Sequence, residues 1–235
     1  MRPWTIDADD IQIADDFDAG LLHKTAWIED FLDAGRDDKF VVVGTKGFGK
    51  TLLLKAKRIR YQELGFLCLP HDALLDKPVG NKIFSRELLG IYEADIEPWS
   101  RIWLTSIAAA VLKQTGLPDE LDVSPRFARL LRNPQLKSVF DHFVVLLDYS
   151  PRDVHRCAQE TNTVLIPLLR ALKRPVAVFI DSVDEYFNKH IHTPAWRASF
   201  SGELSPDIWF LSQMSLVEVA YQVRRITKHL KVFAS

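Results

Sequence analysis

The stretch FVVVGTKGFGKTLLLK, Phe40 to Lys55, constrains this chain more than any other. An unbroken valine run with no polar alternation predicts a short strand buried on both faces. Such strands belong to parallel sheets covered by helices on each side. The run ends at Gly44. From there Gly44-Thr45-Lys46-Gly47-Phe48-Gly49-Lys50-Thr51 fits G-x-x-x-x-G-K-[ST] at every fixed position.

The spacing has a physical reason. Gly47 and Gly49 let the backbone turn tightly, so that successive N–H groups point inward as an anion nest. The helix that opens near Gly49 adds the positive end of its dipole. Lys50 is placed to reach the outer phosphates of a nucleoside triphosphate, and the Thr51 hydroxyl to ligate Mg²⁺. The expected nucleotide-binding residues are Gly44, Gly47, Phe48, Gly49, Lys50, Thr51 and Leu52.

The rest of the chain supplies strands and helices in alternation. KTAWIEDFLDAG, ending at Gly35, spaces Trp27, Ile28, Phe31 and Leu32 as a helix would. TLLLKAKRIRYQEL reads as a helix stopped by Gly65, and its KAKRIR run as a solvated basic face. Phe66–Pro70 reads as a second buried strand. Residues 71–98 are weakly patterned, with a helix expected over 85–92, and read as an insertion. Trp99, Trp103, Ile107 and Val111 recur every four residues on a helix ended by Gly116, with the two tryptophans facing the sheet. Ser124-Pro125, Ser150-Pro151 and Ser205-Pro206 each set a hydroxyl cap before a proline at the first helical position; the second helix should run to about Leu172. Pro175–Asp181 and Leu230–Ser235 read as two further strands. Strands separated by helices imply a parallel α/β sheet.

The strand PVAVFID ends in Asp181 and is followed by Ser182-Val183-Asp184-Glu185. A carboxylate at that strand end would hold Mg²⁺ through water, beside Thr51. Either Glu185 or Asp184 could polarise an attacking water as general base, with Glu185 preferred. The pair could instead only cap a following helix, where first-turn carboxylates are favourable.

FIDSVDEYF resembles the hhhhD-G/S-h-D-E signature of STAND-class P-loop ATPases, which include the NACHT proteins; the related KAP ATPases carry a similar strand end. The tryptophan-bearing helix and the ending KVFAS are similar to a group of bacterial STAND-like ATPases. The resemblance spans about Lys24 to Ser235. It implies a three-layer P-loop NTPase sandwich with strand order 5-1-4-3-2, in which an extra strand separates the phosphate-loop strand from the Asp181 strand. It also implies ATP and Mg²⁺ as ligands, assembly into oligomers in the bound state, coupling to an effector domain, and roles in signalling or antiphage defence. Ser182 stands where AAA+ proteins usually carry glutamate, so Glu185 would act from a different angle. A sensor arginine, a fifth strand and a helical lid should follow the fourth strand and are not in the sequence. Val41 to Val43 would then lie at a sheet edge, so the expectation is that this chain is the front part of a longer protein or that another segment covers that edge.

Composition adds limits. The chain has 235 residues, 47% hydrophobic and 26% charged, with a net charge of −1. One P-loop core domain over 1–235, with a lead-in over 1–24, accounts for that length. Near-zero net charge gives no global pull toward nucleic acid. Cys68 and Cys157 form no C-x-x-C, the seven histidines are scattered, and HIH at His190–His192 has no thiol or acidic partner at ligand spacing. The N-terminus has no apolar signal core and no run of about 18 apolar residues occurs, so a cytoplasmic protein is expected. The leading reading is a slowly hydrolysing ATPase switch. A non-hydrolysing nucleotide-bound scaffold and a nucleic-acid-stimulated ATPase subunit are the alternatives.

Overall fold

The computed structural model describes residues 25–36, 38–44, 49–71, 73, 75–76, 96–181 and 207–235. Their elements are α1 (Ala26–Leu32), α2 (Lys50–Glu63), β1 (Leu67–Leu69), α3 (Ile96–Thr115), α4 (Pro125–Arg132), α5 (Val139–Leu147), α6 (Pro151–Glu160), α7 (Ile166–Arg170), β2 (Val176–Ile180), α8 (Asp207–Ile226) and β3 (Leu230–Ala234). No helix among them is long and apolar enough to cross a membrane.

The three strands form one parallel sheet in the order β1-β2-β3. Val176 pairs with Leu67 on one side and with Leu230 on the other, and Ile180 pairs with Ala234. Val41 adds a single parallel bridge to Ala234, through Val42 N–H to the Ala234 carbonyl at 2.9 Å and Ala234 N–H to the Phe40 carbonyl at 3.0 Å. The valine run therefore lies next to β3, with β3 between it and β2. Among the described residues nothing pairs with Val41 on its other side, and Val43 is 91% exposed.

Side chains on the strands alternate between two cores, as the pleat requires. Val176, Val178, Ile180, Val232 and Leu69 point into the larger one, with α3, α5 and α8. Ala177, Phe179, Phe233 and Cys68 point into the smaller one, with α1 and α2. Helices thus cover both faces of the parallel sheet and its middle strand is fully buried, which is why β2 reads as an unbroken apolar run.

Several expectations need correction. KAKRIR is not a solvated face: Lys55, Lys57 and Arg58 are 3%, 0% and 2% exposed, and only Arg60 faces water, paired with Glu63. The Lys57 ammonium donates to the carbonyls of Phe31 and Asp33 at the end of α1, and lies over the rings of Phe31, Tyr61 and Phe233. Arg58 donates to the Pro70 carbonyl at 2.8 Å. Carbonyls left over at the ends of α1 and β1 make burial of these cations possible. Trp99 and Trp103 are buried, but their rings stack on Phe143 of α5, a helix absent from the sequence reading. That helix is so apolar that its periodicity is blurred; its start is marked by a capping box between Ser138 and Asp141. Ser124 does precede a helix, but its hydroxyl goes to Glu160 at 2.9 Å rather than to the first turn. Ser150 caps α6 as expected. The helix from Pro151 widens to a π-turn over Thr161–Leu165 just ahead of Pro167, whose ring would collide with the carbonyl four residues back in a regular helix.

The expected insertion is not wholly outside the sheet. Asp76 bridges Ile180, and α3 already begins at Ile96. The helix expected over 85–92, the Ser205-Pro206 cap and HIH lie outside the described residues.

Candidate functional site

The carboxyl ends of β2 and β3 and the amino end of α2 meet at one point. Gly49 starts α2 in the left-handed region, φ 72° and ψ 21°, with no side chain capping the first turn. A Cβ at Gly49 would meet nothing within 4 Å, so it is the backbone angle, not space, that asks for glycine there. Lys50, Thr51 and Leu52 form the first turn. The Lys50 ammonium donates to the Gly44 carbonyl at 2.8 Å.

Asp181 follows β2 directly and is 1% exposed. The Thr51 hydroxyl donates to its Oδ2 at 2.9 Å, joining residues 130 apart in sequence. The two groups expected to share a metal are thus adjacent. A hydroxyl has one proton and two lone pairs. Its proton is committed to Asp181, which leaves oxygen lone pairs to face a cation. A hydroxyl beside a buried carboxylate is a hard-oxygen donor pair and suits Mg²⁺ rather than a thiophilic metal. The described residues hold no group of three or more His, Cys, Asp or Glu that could hold a metal ion. Magnesium in such sites usually relies on one or two protein ligands, substrate phosphates and water, so the pair fits.

Two residues that support Asp181 were not found in the sequence. Ser235 donates its hydroxyl to Asp181 Oδ1 and its N–H to the Ile180 carbonyl at 3.1 Å. The register foretells this, since Ile180 pairs with Ala234 and the residues that follow each must be neighbours. A polar residue closing an apolar strand was the available signal. The second is Asp76, 3% exposed, whose carbonyl accepts the Asp181 N–H at 2.9 Å. Burial pushes its carboxyl up to about 7, against the pull of the Phe140 and Val139 N–H groups and Ser138.

Gly47 and Phe48 of the loop, and Asp184 and Glu185 beyond β2, lie outside the described residues. Arg174 stands at the opposite end of β2 from Asp181 and is exposed. The two cysteines are free and buried, and desolvation pushes Cys68 up to about 11 and Cys157 up to about 12, which disfavours the reactive thiolates.

No family model, no curated protein and no solved structure matches this chain.

Proposed function

We propose that this chain is a P-loop ATPase core of the STAND type, which binds ATP with Mg²⁺ at the Thr51–Asp181 pair and hydrolyses it slowly. One observation carries the reading: the Thr51 hydroxyl and the Asp181 carboxylate lie in hydrogen-bond contact at the carboxyl edge of a parallel sheet. The position of β3 between the valine run and β2 agrees with the order 1-4-3-2 within that fold.

Thr51 and Asp181 would hold the metal, which when bound neutralises phosphate charge and polarises the scissile phosphoryl group. Lys50 would exchange the Gly44 carbonyl for phosphate oxygens. The first-turn amides of α2 and its dipole would bind the same anion. Ser235 donates to the other carboxylate oxygen, Oδ1, and would help to keep Oδ2 turned toward Thr51. Glu185, or Asp184, would take the proton of the attacking water. The output would be assembly with further copies, or a signal to an effector domain.

Lys50→Ala tests the reading. ATP affinity, measured by a fluorescent analogue, should fall about 100-fold or more, the worth of a charge-assisted contact to phosphate together with its steering field. Unchanged affinity would sink the site. Phosphate release by Glu185→Gln, compared with wild type, separates a hydrolase from a passive nucleotide scaffold.

A further inference from the structure

The segment after β1 returns to the sheet at one residue. Asp76 donates its N–H to the Phe179 carbonyl at 2.8 Å and accepts the Asp181 N–H on its own carbonyl at 2.9 Å. It therefore continues the β1 side of the sheet for one step, at the level where β2 delivers Asp181. Its side chain crosses to another layer. Oδ2 accepts the N–H of Val139 at 2.7 Å and of Phe140 at 3.1 Å, the first two amides of α5.

That helix does not need Asp76 in order to begin. Ser138 accepts the Asp141 N–H at 3.1 Å, and Asp141 reaches back to the Ser138 N–H at 2.8 Å, a complete capping box. Taking a carboxyl group to 3% exposure costs free energy that a neutral acceptor would avoid. What the arrangement adds is a connection. One residue is bonded through its main chain to the Asp181 strand end, and through its side chain to the helix that packs on α3 through Phe140, Phe143, Trp99 and Trp103.

We infer that Asp76 is a positioning residue for the Thr51–Asp181 pair, tying the metal-binding strand end to the first turn of α5 so that occupancy of the site and docking of α5 are linked. This rests on the nucleotide-site reading above. Linkage is reciprocal: if metal and nucleotide settle Asp181, they must also settle Asp76 and the amides it holds.

The test uses the full chain, with ATP affinity measured with Mg²⁺ and with EDTA. In wild type, Mg²⁺ should raise the affinity. In Asp76→Ala that gain should shrink about ten-fold, while the Mg²⁺-free affinity stays within about two-fold. Asp76→Asn keeps an oxygen acceptor and should restore most of the gain. In wild type, Mg²⁺ and ATP together should also slow hydrogen exchange at Val139 and Phe140 by about ten-fold; this arm stands even where Asp76→Ala does not fold. An undiminished Mg²⁺ gain in Asp76→Ala, a parallel fall of both affinities, or unaltered exchange at Val139 and Phe140 would each overturn the inference and leave the site reading intact. Wild-type protein that binds no ATP under either condition would remove both.

Discussion

Thr51→Val is the sharpest perturbation of the site, because it changes one atom's chemistry and almost nothing else. Valine has the shape of threonine, and both have similar helix propensity, so α2 and its packing should survive. What disappears is a 2.9 Å hydrogen bond from the hydroxyl to a carboxylate that is 1% exposed. A bond to such a group is worth ~1.5–3 kcal/mol, so a loss of ~2 kcal/mol is expected. Ser235 still holds the other carboxylate oxygen, which argues against the upper end. In a chain of 235 residues, 1 kcal/mol moves Tm by ~2–4 °C, so Tm should fall by ~4–8 °C. The second half of the experiment is the ligand response. Wild-type protein at 100 times Kd of Mg²⁺ and ATP should gain ~2.7 kcal/mol by mass action. Thr51→Val should gain about as much from ATP with Mg²⁺ as from ATP with EDTA, because the metal's hydroxyl ligand is gone. Thr51→Ser, which restores the hydroxyl, should recover the metal-dependent part. If Thr51→Val melted within about 1 °C of wild type and kept the Mg²⁺-dependent shift, the hydrogen bond would be structurally idle and the metal would sit elsewhere.

Three further outcomes follow from the same structure. Ser235→Ala removes the second hydroxyl on Asp181 and should weaken Mg²⁺-dependent ATP binding about ten-fold, with ~1 kcal/mol of destabilisation; an unchanged Kd would reduce Ser235 to a strand end. Trp103→Ala takes away a fully buried ring stacked on Phe143 at 4.0 Å and bonded to the Ser212 carbonyl, and should cost ~3–5 kcal/mol in urea unfolding; a loss below about 1 kcal/mol would contradict the packing described. The pH dependence of stability should show two opposed slopes. The Asp76 carboxyl is raised from 3.8 to about 7, so its favourable contribution is complete below 3.8 and is lost as pH rises toward 7. His142, buried and lowered from 6.5 to about 4, contributes above 6.5 and is lost as pH falls toward 4. At His142 the charges of Lys113 and Asp141 partly offset each other, and at Asp76 the Asp141 charge adds to the upward shift. At ~1.4 kcal/mol per pH unit the two terms are ~4 and ~3 kcal/mol and nearly cancel across the interval. His142→Gln should expose a fall in stability with rising pH, and Asp76→Asn a rise; parallel profiles in both variants would refute the attribution.

The fold is most legible in the sequence where one physical requirement dominates. A buried parallel strand must be apolar on both faces, so VAVFI and the KVFA strand were legible, and Asp181 stood out as the first polar residue after such a run. The loop spacing around Gly49 was legible because a left-handed backbone angle asks for glycine. Where tertiary contacts decide, local sequence carries no such signal. Nothing local in KAKRIR distinguishes a lysine in water from Lys57 beneath three rings, since the rings come from α1, α2 and β3. α5 was missed because burial on nearly every side erases the 3.6-residue pattern. Ser235 and Asp76 needed strand register, which the sequence does not print.

The buried cations of α2 change how its front end should be understood. α2 carries Lys50 and Thr51 at its first turn, so any rotation or shift of the helix moves both. Two turns on, Lys57 is bonded to the last carbonyls of α1, and Arg58 to the carbonyls of Pro70 and Cys68 at the end of β1. Among the described residues the Nε and Nη1 atoms of Arg58 have no partner, and desolvation lowers its affinity for a proton. A guanidinium this deeply buried stabilises little for its own sake. It does fix the helix against the strand whose continuation returns at Asp76. α2 is thus held from behind on both flanks, by α1 on one side and by the β1 end on the other. A loop that must present several amides to one anion gains from such rigidity, since the geometry is set before the ligand arrives and is not paid for on binding. Arg58 meets the Pro70 carbonyl and Asp76 meets the Asp181 N–H, so substitutions at the back of α2 should be felt at the Thr51–Asp181 pair without touching it.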